Sequence, residues 1–170
     1  MSDLAIIENG DGGDLKIVGN DFATQSGWGN MPYLALFGGN VEASTVKRLA
    51  TQQAFDFWAN STLFDQDESV QMDSETERVL MEVALNSAGR IKIQQAVEKD
   101  LKFMEAFAIV KVSVTIEGID RVNITIKVKE PDNLKGRSSD QFRAFIFIWD
   151  ATKKELGDFS ISDFNDDFFI

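Results

Sequence analysis

From Ile109 to Lys129 apolar and polar residues alternate almost without exception, and a chain with that period has few conformations open to it. Val110, Val112, Val114 and Ile116 fall on one side of an extended backbone, with Lys111, Ser113, Thr115 and Glu117 on the other. Gly118-Ile119-Asp120 supplies a turn. Val122, Ile124, Ile126 and Val128 then repeat the pattern against Arg121, Asn123, Thr125, Lys127 and Lys129. This predicts a half-buried antiparallel hairpin over 109–117 and 121–129, because a slip of one residue would turn every apolar side chain to water.

A sheet with one apolar face needs a cover, and the residues before it provide one. Ile93, Ala96, Val97, Leu101 and Met104 form one stripe of a helix from about Arg90 to Met104, with Glu98, Lys99 and Lys102 off it. That helix meets the strand at Glu105-Ala106-Phe107, with neither Gly nor Pro between them. Upstream, Ser74-Glu75-Thr76-Glu77 fits a capping box, followed by Val79, Leu80, Val83 and Ala84 on one helical face. Asn86-Ser87-Ala88-Gly89 reads as the end of that earlier helix.

The N-terminal part is shorter-grained. Leu4–Ile7 and Leu15–Val18 read as two strands around the turn residues Asn9–Asp14. Those residues share carboxylates with a calcium loop but lack its closing bidentate Glu, so they read as a turn. Asn30 to Gly39 reads as a helix capped by Asn30, with Pro32 in its first turn and Gly38 at its stop. Glu42–Gln53 is ambiguous between loop and helix, Phe55–Trp58 is strand-like, and Asp65, Asp67 and Glu68 lie in a polar loop. A second polar loop spans 130–141.

The third strand, 142–149, breaks the alternation. Phe142, Ala144, Ile146 and Ile148 suit the helix-covered face, which leaves Phe145, Phe147 and Trp149 on the other face in need of cover. The stretch from Asp150 to Ile170 mixes six carboxylates and two lysines with Phe159, Phe164, Phe168 and Phe169. Two arrangements remove those aromatics from water. The stretch folds back over the sheet, or residues 158–170 dock into another chain, which the interleaved acids favour by keeping an undocked tail soluble. The expected architecture is an α+β domain: an antiparallel sheet with a long helix on one face, plus short N-terminal strands and a helix. It is expected over 1–150, with an acidic, Phe-rich tail over 151–170.

Composition narrows the chemistry. The 170 residues include no Cys and no His, which removes thiolate nucleophiles, the Ser-His-Asp triad and imidazole metal sites. A net charge of −11 is unsuited to covering nucleic-acid phosphates, and Lys47-Arg48 is too small a cluster to change that. No apolar run reaches the roughly 18–20 residues that cross a bilayer, and the first residues lack the pattern of a signal peptide. The expectation is a chain made in a cytoplasm, with no cofactor, no metal, no nucleic-acid partner and no membrane.

Tyr33-Leu-Ala-Leu-Phe-Gly-Gly-Asn40 and Gln53-Ala-Phe-Asp-Phe-Trp-Ala-Asn60 resemble the first half of the Mu-like gene product 46 family of baseplate wedge proteins in contractile phage tails. Ser74 to Val128, centred on Val83-Ala-Leu-Asn-Ser-Ala-Gly-Arg90, resembles the second half. That family is related to the sheath-initiator, lysozyme-like baseplate family, whose members outside the Mu-like branch often carry Glu-Pro-Arg at the helix–strand junction. Glu105-Ala106-Phe107 aligns with that signature and keeps only its Glu. The resemblance implies a structural virion component of a phage, prophage or phage-derived tail, assembled in the bacterial cytoplasm. It would bind other wedge or sheath proteins, help seed the sheath and self-associate. Glu105, Phe145, Phe147, Trp149, Phe159, Phe164, Phe168 and Phe169 are the candidate contacts. The lysozyme label invites an alternative, a carboxylate glycosidase, for which Glu98, Glu105, Asp65 and Asp67 are available and none stands out. A binding module of unrelated function is the third reading.

Overall fold

In a computed structural model, residues 2–8, 13–26, 30–38, 74–129 and 141–165 are described. The expected regions 42–53, 55–58 and the loops holding Asp65, Asp67 and Glu68 lie outside them, as do residues 9–12 and 130–140. The fold is α+β, as its sequence periods dictate. Six short N-terminal strands, β1 (Ser2–Leu4), β2 (Ile6–Glu8), β3 (Gly13–Leu15), β4 (Ile17–Val18), β5 (Asp21–Phe22) and β6 (Thr24–Ser26), precede α1 (Met31–Phe37). After α2 (Thr76–Glu82) and α3 (Ser87–Asp100), a 3₁₀ turn over Lys102–Ala106 leads into β7 (Ile109–Glu117). β8 (Arg121–Lys129), β9 (Gln141–Asp150) and β10 (Glu155–Asn165) complete a four-stranded antiparallel sheet in the order β10-β9-β8-β7.

The β7–β8 hairpin has the register its alternation predicts. Val112 faces Ile126, Val114 faces Ile124 and Glu117 faces Arg121. Gly118 closes the turn at φ 75°, an angle at which a Cβ would be strained. Val114, Val122, Ile124, Ile126 and Val128 are buried beneath the helices, while Val110, Val112 and Ile116 on the edge strand are half-buried.

The two faces of β9 are the reverse of the expected ones. Ile126 pairs with Phe145, Ile124 with Phe147 and Val122 with Trp149. Directly opposed residues of an antiparallel pair share a face, so Phe145, Phe147 and Trp149 lie on the helix-covered side. Their exposures are 0%, 0% and 1%. Both stripes of β9 are apolar, so only the pairing with β8 decides which turns inward. The larger rings fill the gap beneath α1. Phe37 stacks on Trp149 with centroids 6.3 Å apart and lies 5.5 Å from Phe147. The indole Nε1 of Trp149 meets no acceptor among the described residues.

The chain after Asp150 does not begin as a separate tail. β10 pairs with β9 from Glu155–Asp150 to Asn165–Gln141, with one irregularity between Leu156 and Asp158. The expected boundary at residue 150 therefore falls inside a hairpin. Phe159 stacks on Phe147 at 4.7 Å and 9°, and Tyr33 of α1 lies 5.7 Å from Phe159.

The expected helix ends also shift. Ser74 does not close a capping box: its Oγ donates to the Ala35 carbonyl oxygen at 2.8 Å, which leaves the N-terminus of α2 to another residue. That residue is Asp100, whose carboxylate accepts from Glu75 N at 2.9 Å, Thr76 N at 2.8 Å and Thr76 Oγ1 at 2.7 Å. An anion at a helix N-terminus satisfies free amides and favours the dipole, and here the end of α3 supplies it to α2. Asn86 begins α3, its side chain accepting from Gly89 N at 2.9 Å, so the Asn86–Gly89 segment is a start where a stop was expected. A Cβ on Gly89 would collide with the Ala84 carbonyl oxygen, which accounts for glycine there.

At the N-terminus, the two expected strands split at Ala5 and Lys16. Ala5 N donates to Ala23 O, Ala23 N to Lys16 O and Lys16 N to Ala5 O, at 2.8, 2.8 and 2.9 Å. Three antiparallel strand pairs, the stem β1–β6 and the hairpins β2–β3 and β4–β5, meet at this ring of backbone hydrogen bonds. Asn30 does not cap α1 with its side chain. Its Nδ2 donates to Leu4 O at 2.6 Å and its Oδ1 accepts from Ile6 N at 3.3 Å, straddling buried Ala5 and tying the three strand pairs to α1.

Candidate functional site

The junction between α3 and β7 combines a fixed base with an exposed top. Val97, Leu101, Met104 and Ala108 are buried in the common core, with Met104 fully so. Leu101 N donates to Val97 O, Met104 N to Leu101 O, and both Phe107 N and Ala108 N to Met104 O, so the backbone turns with its amides satisfied. No Gly is needed because a 3₁₀ turn makes the corner in ordinary backbone space. The outward positions are Lys102, Glu105, Ala106, Phe107 and Ile109. The half-buried Phe103 ring lies 6.2 Å from Phe107 at 60°, which props the Phe107 ring from the side.

Glu105 projects from this corner and makes no ion pair among the described residues. Ala106 and exposed Phe107 follow it in the chain. The corner thus presents one acid beside two large apolar side chains. That is a surface for contact more than a site for reaction.

The other expected contacts divide. Phe145, Phe147 and Trp149 are corrected: they belong to the interior and are not available to a partner, because pairing with β8 turns them beneath α1. Phe159 is half-buried against Phe147 and Tyr33. Phe164 sits in β10 opposite Phe142. Phe168 and Phe169 lie outside the described residues. The expectation that 158–170 reaches another chain is corrected for residues 158–165, which pair with β9 of the same chain.

Of the carboxylates named for hydrolysis, Glu98 and Glu105 are described, and both lie outside the groove between α2 and α3. Glu98 is exposed and accepts from Gln94 Nε2 at 2.9 Å, Glu105 is exposed at the corner, and Asp65 and Asp67 lie outside the described residues. That groove has a volume of about 410 Å³. Its acids, Glu75 and Glu82, are held by Arg78 at 2.7 and 3.0 Å, with Lys99 on Glu75 at 2.6 Å. Among the described residues no group of three potential ligands is placed to hold a metal ion, and no helix is long and apolar enough to cross a membrane.

Two features escaped the sequence reading. Asp100 gave no sign of capping another helix, since its three partners are at least 24 positions away. The β4–β5 hairpin exposes Ile17, Val18 and Phe22, and its signal was Gly19-Asn20 set between apolar residues. Comparison with protein-family models, curated proteins and solved structures gave no match.

Proposed function

We propose that this chain is a structural subunit of a contractile-tail baseplate, of phage or phage-derived origin. It binds neighbouring wedge or sheath proteins and takes part in seeding the sheath. The observation that carries this reading is the α3–β7 corner. A backbone pinned by buried Met104 holds Glu105, Phe107 and Ile109 outward, as a contact platform requires. The element order of helix, short corner and antiparallel hairpin supports it, as does the resemblance at Ser74–Val128. The glycosidase reading draws no comparable support, because Glu98 and Glu105 both lie outside the groove.

The test is genetic and structural. Deleting the gene from a strain that produces tails should abolish contractile tails in electron micrographs, and the native gene should restore them. A Phe107→Asp/Ile109→Asp chain should fold and fail to restore them. Intact tails after deletion would overturn the reading.

A further inference from the structure

The β4–β5 hairpin carries apolar side chains on both faces and buries none of them. Ile17, Val18 and Phe22 are 65%, 61% and 51% exposed. Ile17 is paired with Phe22, so these two share one face, and Val18, paired with Asp21, stands on the other. A two-residue strand pair closed by Gly19 at φ 68° has no core of its own that would explain such residues.

Resting on the assembly reading above, we propose that this hairpin is a docking finger that inserts into an apolar cleft, rimmed by basic residues, on a different protein subunit. The finger is preorganised. Its root is the ring of hydrogen bonds joining Ala5, Lys16 and Ala23, its tip is braced by Phe22 N donating to Asp21 Oδ1 at 2.8 Å, and Asn30 fixes the root to α1. A rigid element loses little freedom on docking.

The occupant follows from shape, area and charge. Apolar side chains on both faces fit walls on two sides, which a cleft offers and a flat bilayer surface does not. The three side chains together expose on the order of 300 Å² of apolar surface, at the lower end of the largest patches that monomers carry and often use. Residues 1–30 hold five acids and one lysine, and the whole chain carries −11, so a second copy or an anionic lipid surface is repelled. A basic rim around an apolar cleft is the complement.

The test uses the deletion strain, complemented with variants. Ile17→Asp/Phe22→Asp should melt as the native chain does when purified, because the side chains changed are already in water. The yield of contractile tails from the complemented strain should fall by about tenfold or more, as for loss of an apolar anchor. Val18→Lys, on the opposite face, should give the same loss and serves as an independent reading if the double variant folds poorly. Ile119→Asp, at a 92% exposed turn position, should give the normal yield. Benzoylphenylalanine at position 22 should crosslink within assembled tails to one apolar peptide of one other subunit, mapped by mass spectrometry. A normal yield with the finger variants, a crosslink to a second copy of this chain or to lipid, or no crosslink would each overturn the finger. None of these would touch the assembly reading, which fails only if deletion leaves tails intact.

Discussion

Replacing Asp100 by Ala should damage the fold more than any surface change near it. The carboxylate is 4% exposed and takes three hydrogen bonds, two from backbone amides at the start of α2 and one from the buried Thr76 hydroxyl. A hydrogen bond to a charged acceptor contributes about 1.5–3 kcal/mol, and a buried donor left without a partner costs about 1–3 kcal/mol. The contributions overlap because all three donors share one acceptor group, so the expected loss is about 3–5 kcal/mol and not their sum. That is a large part of the roughly 5–15 kcal/mol that holds a domain together. Asp100→Asn keeps one acceptor oxygen and should lose about half as much. Urea unfolding followed by fluorescence of buried Trp149 would measure both, and amide exchange at Glu75 and Thr76 should rise sharply in either variant. A loss below about 1 kcal/mol for Asp100→Ala would mean that water replaces the carboxylate at little cost, and the capping argument would fail.

Truncation after Leu156 removes most of β10 and the Phe159 ring stacked on Phe147. Burial of one Phe contributes about 1.5–3 kcal/mol, so calorimetry should show a midpoint lowered by several degrees. An unchanged midpoint would show that β10 contributes nothing to the sheet. Asp150 accepts from Lys153 N and Thr152 N at 3.0 and 2.9 Å, and these bonds hold its carboxyl below the usual carboxylate value of 3.8. Its contribution is therefore complete above the ordinary carboxylate pKa and is lost as pH falls through the lowered one. Side-chain carboxyl NMR should place its titration below that of a free Asp, and the order of the β9–β10 turn should fade over the same interval. A titration at or above 3.8 would remove the turn's pH dependence.

The parts legible in the sequence are those governed by one local period. Alternation at 109–129 sets both strands and their register, since any slip would expose Ile124 and Ile126. The stripe at Ile93, Val97 and Met104 places the covering helix for the same reason. β9 was misread because both of its stripes are apolar, so its inward face depends on Ile124 pairing with Phe147. Asn30 was misread and Asp100 overlooked for a related reason. Short polar side chains look for the nearest backbone amide in a sequence argument, yet both find partners across at least 24 positions of chain. At the candidate site, Glu105 is exposed at the corner between helix and strand. The exposure of Phe107 depends on how the 3₁₀ turn rotates it, which no period encodes, whereas Ile109 follows the strand alternation onto the face of Lys111.

The ring of hydrogen bonds at Ala5, Lys16 and Ala23 has a consequence for how such a protein can diverge. It uses only backbone atoms at the root of the three arms, so nothing beyond the root takes part in closing it. An arm can therefore gain or lose residues in matched pairs on its two strands without disturbing the other arms. Two residues on each side preserve which faces point where and add about 6–7 Å of reach. The length of the β4–β5 arm becomes a dimension that can be tuned independently of the sheet. A lineage could fit a deeper or shallower counterpart by indels of four residues at Gly19-Asn20, while the body stays under separate selection for stability.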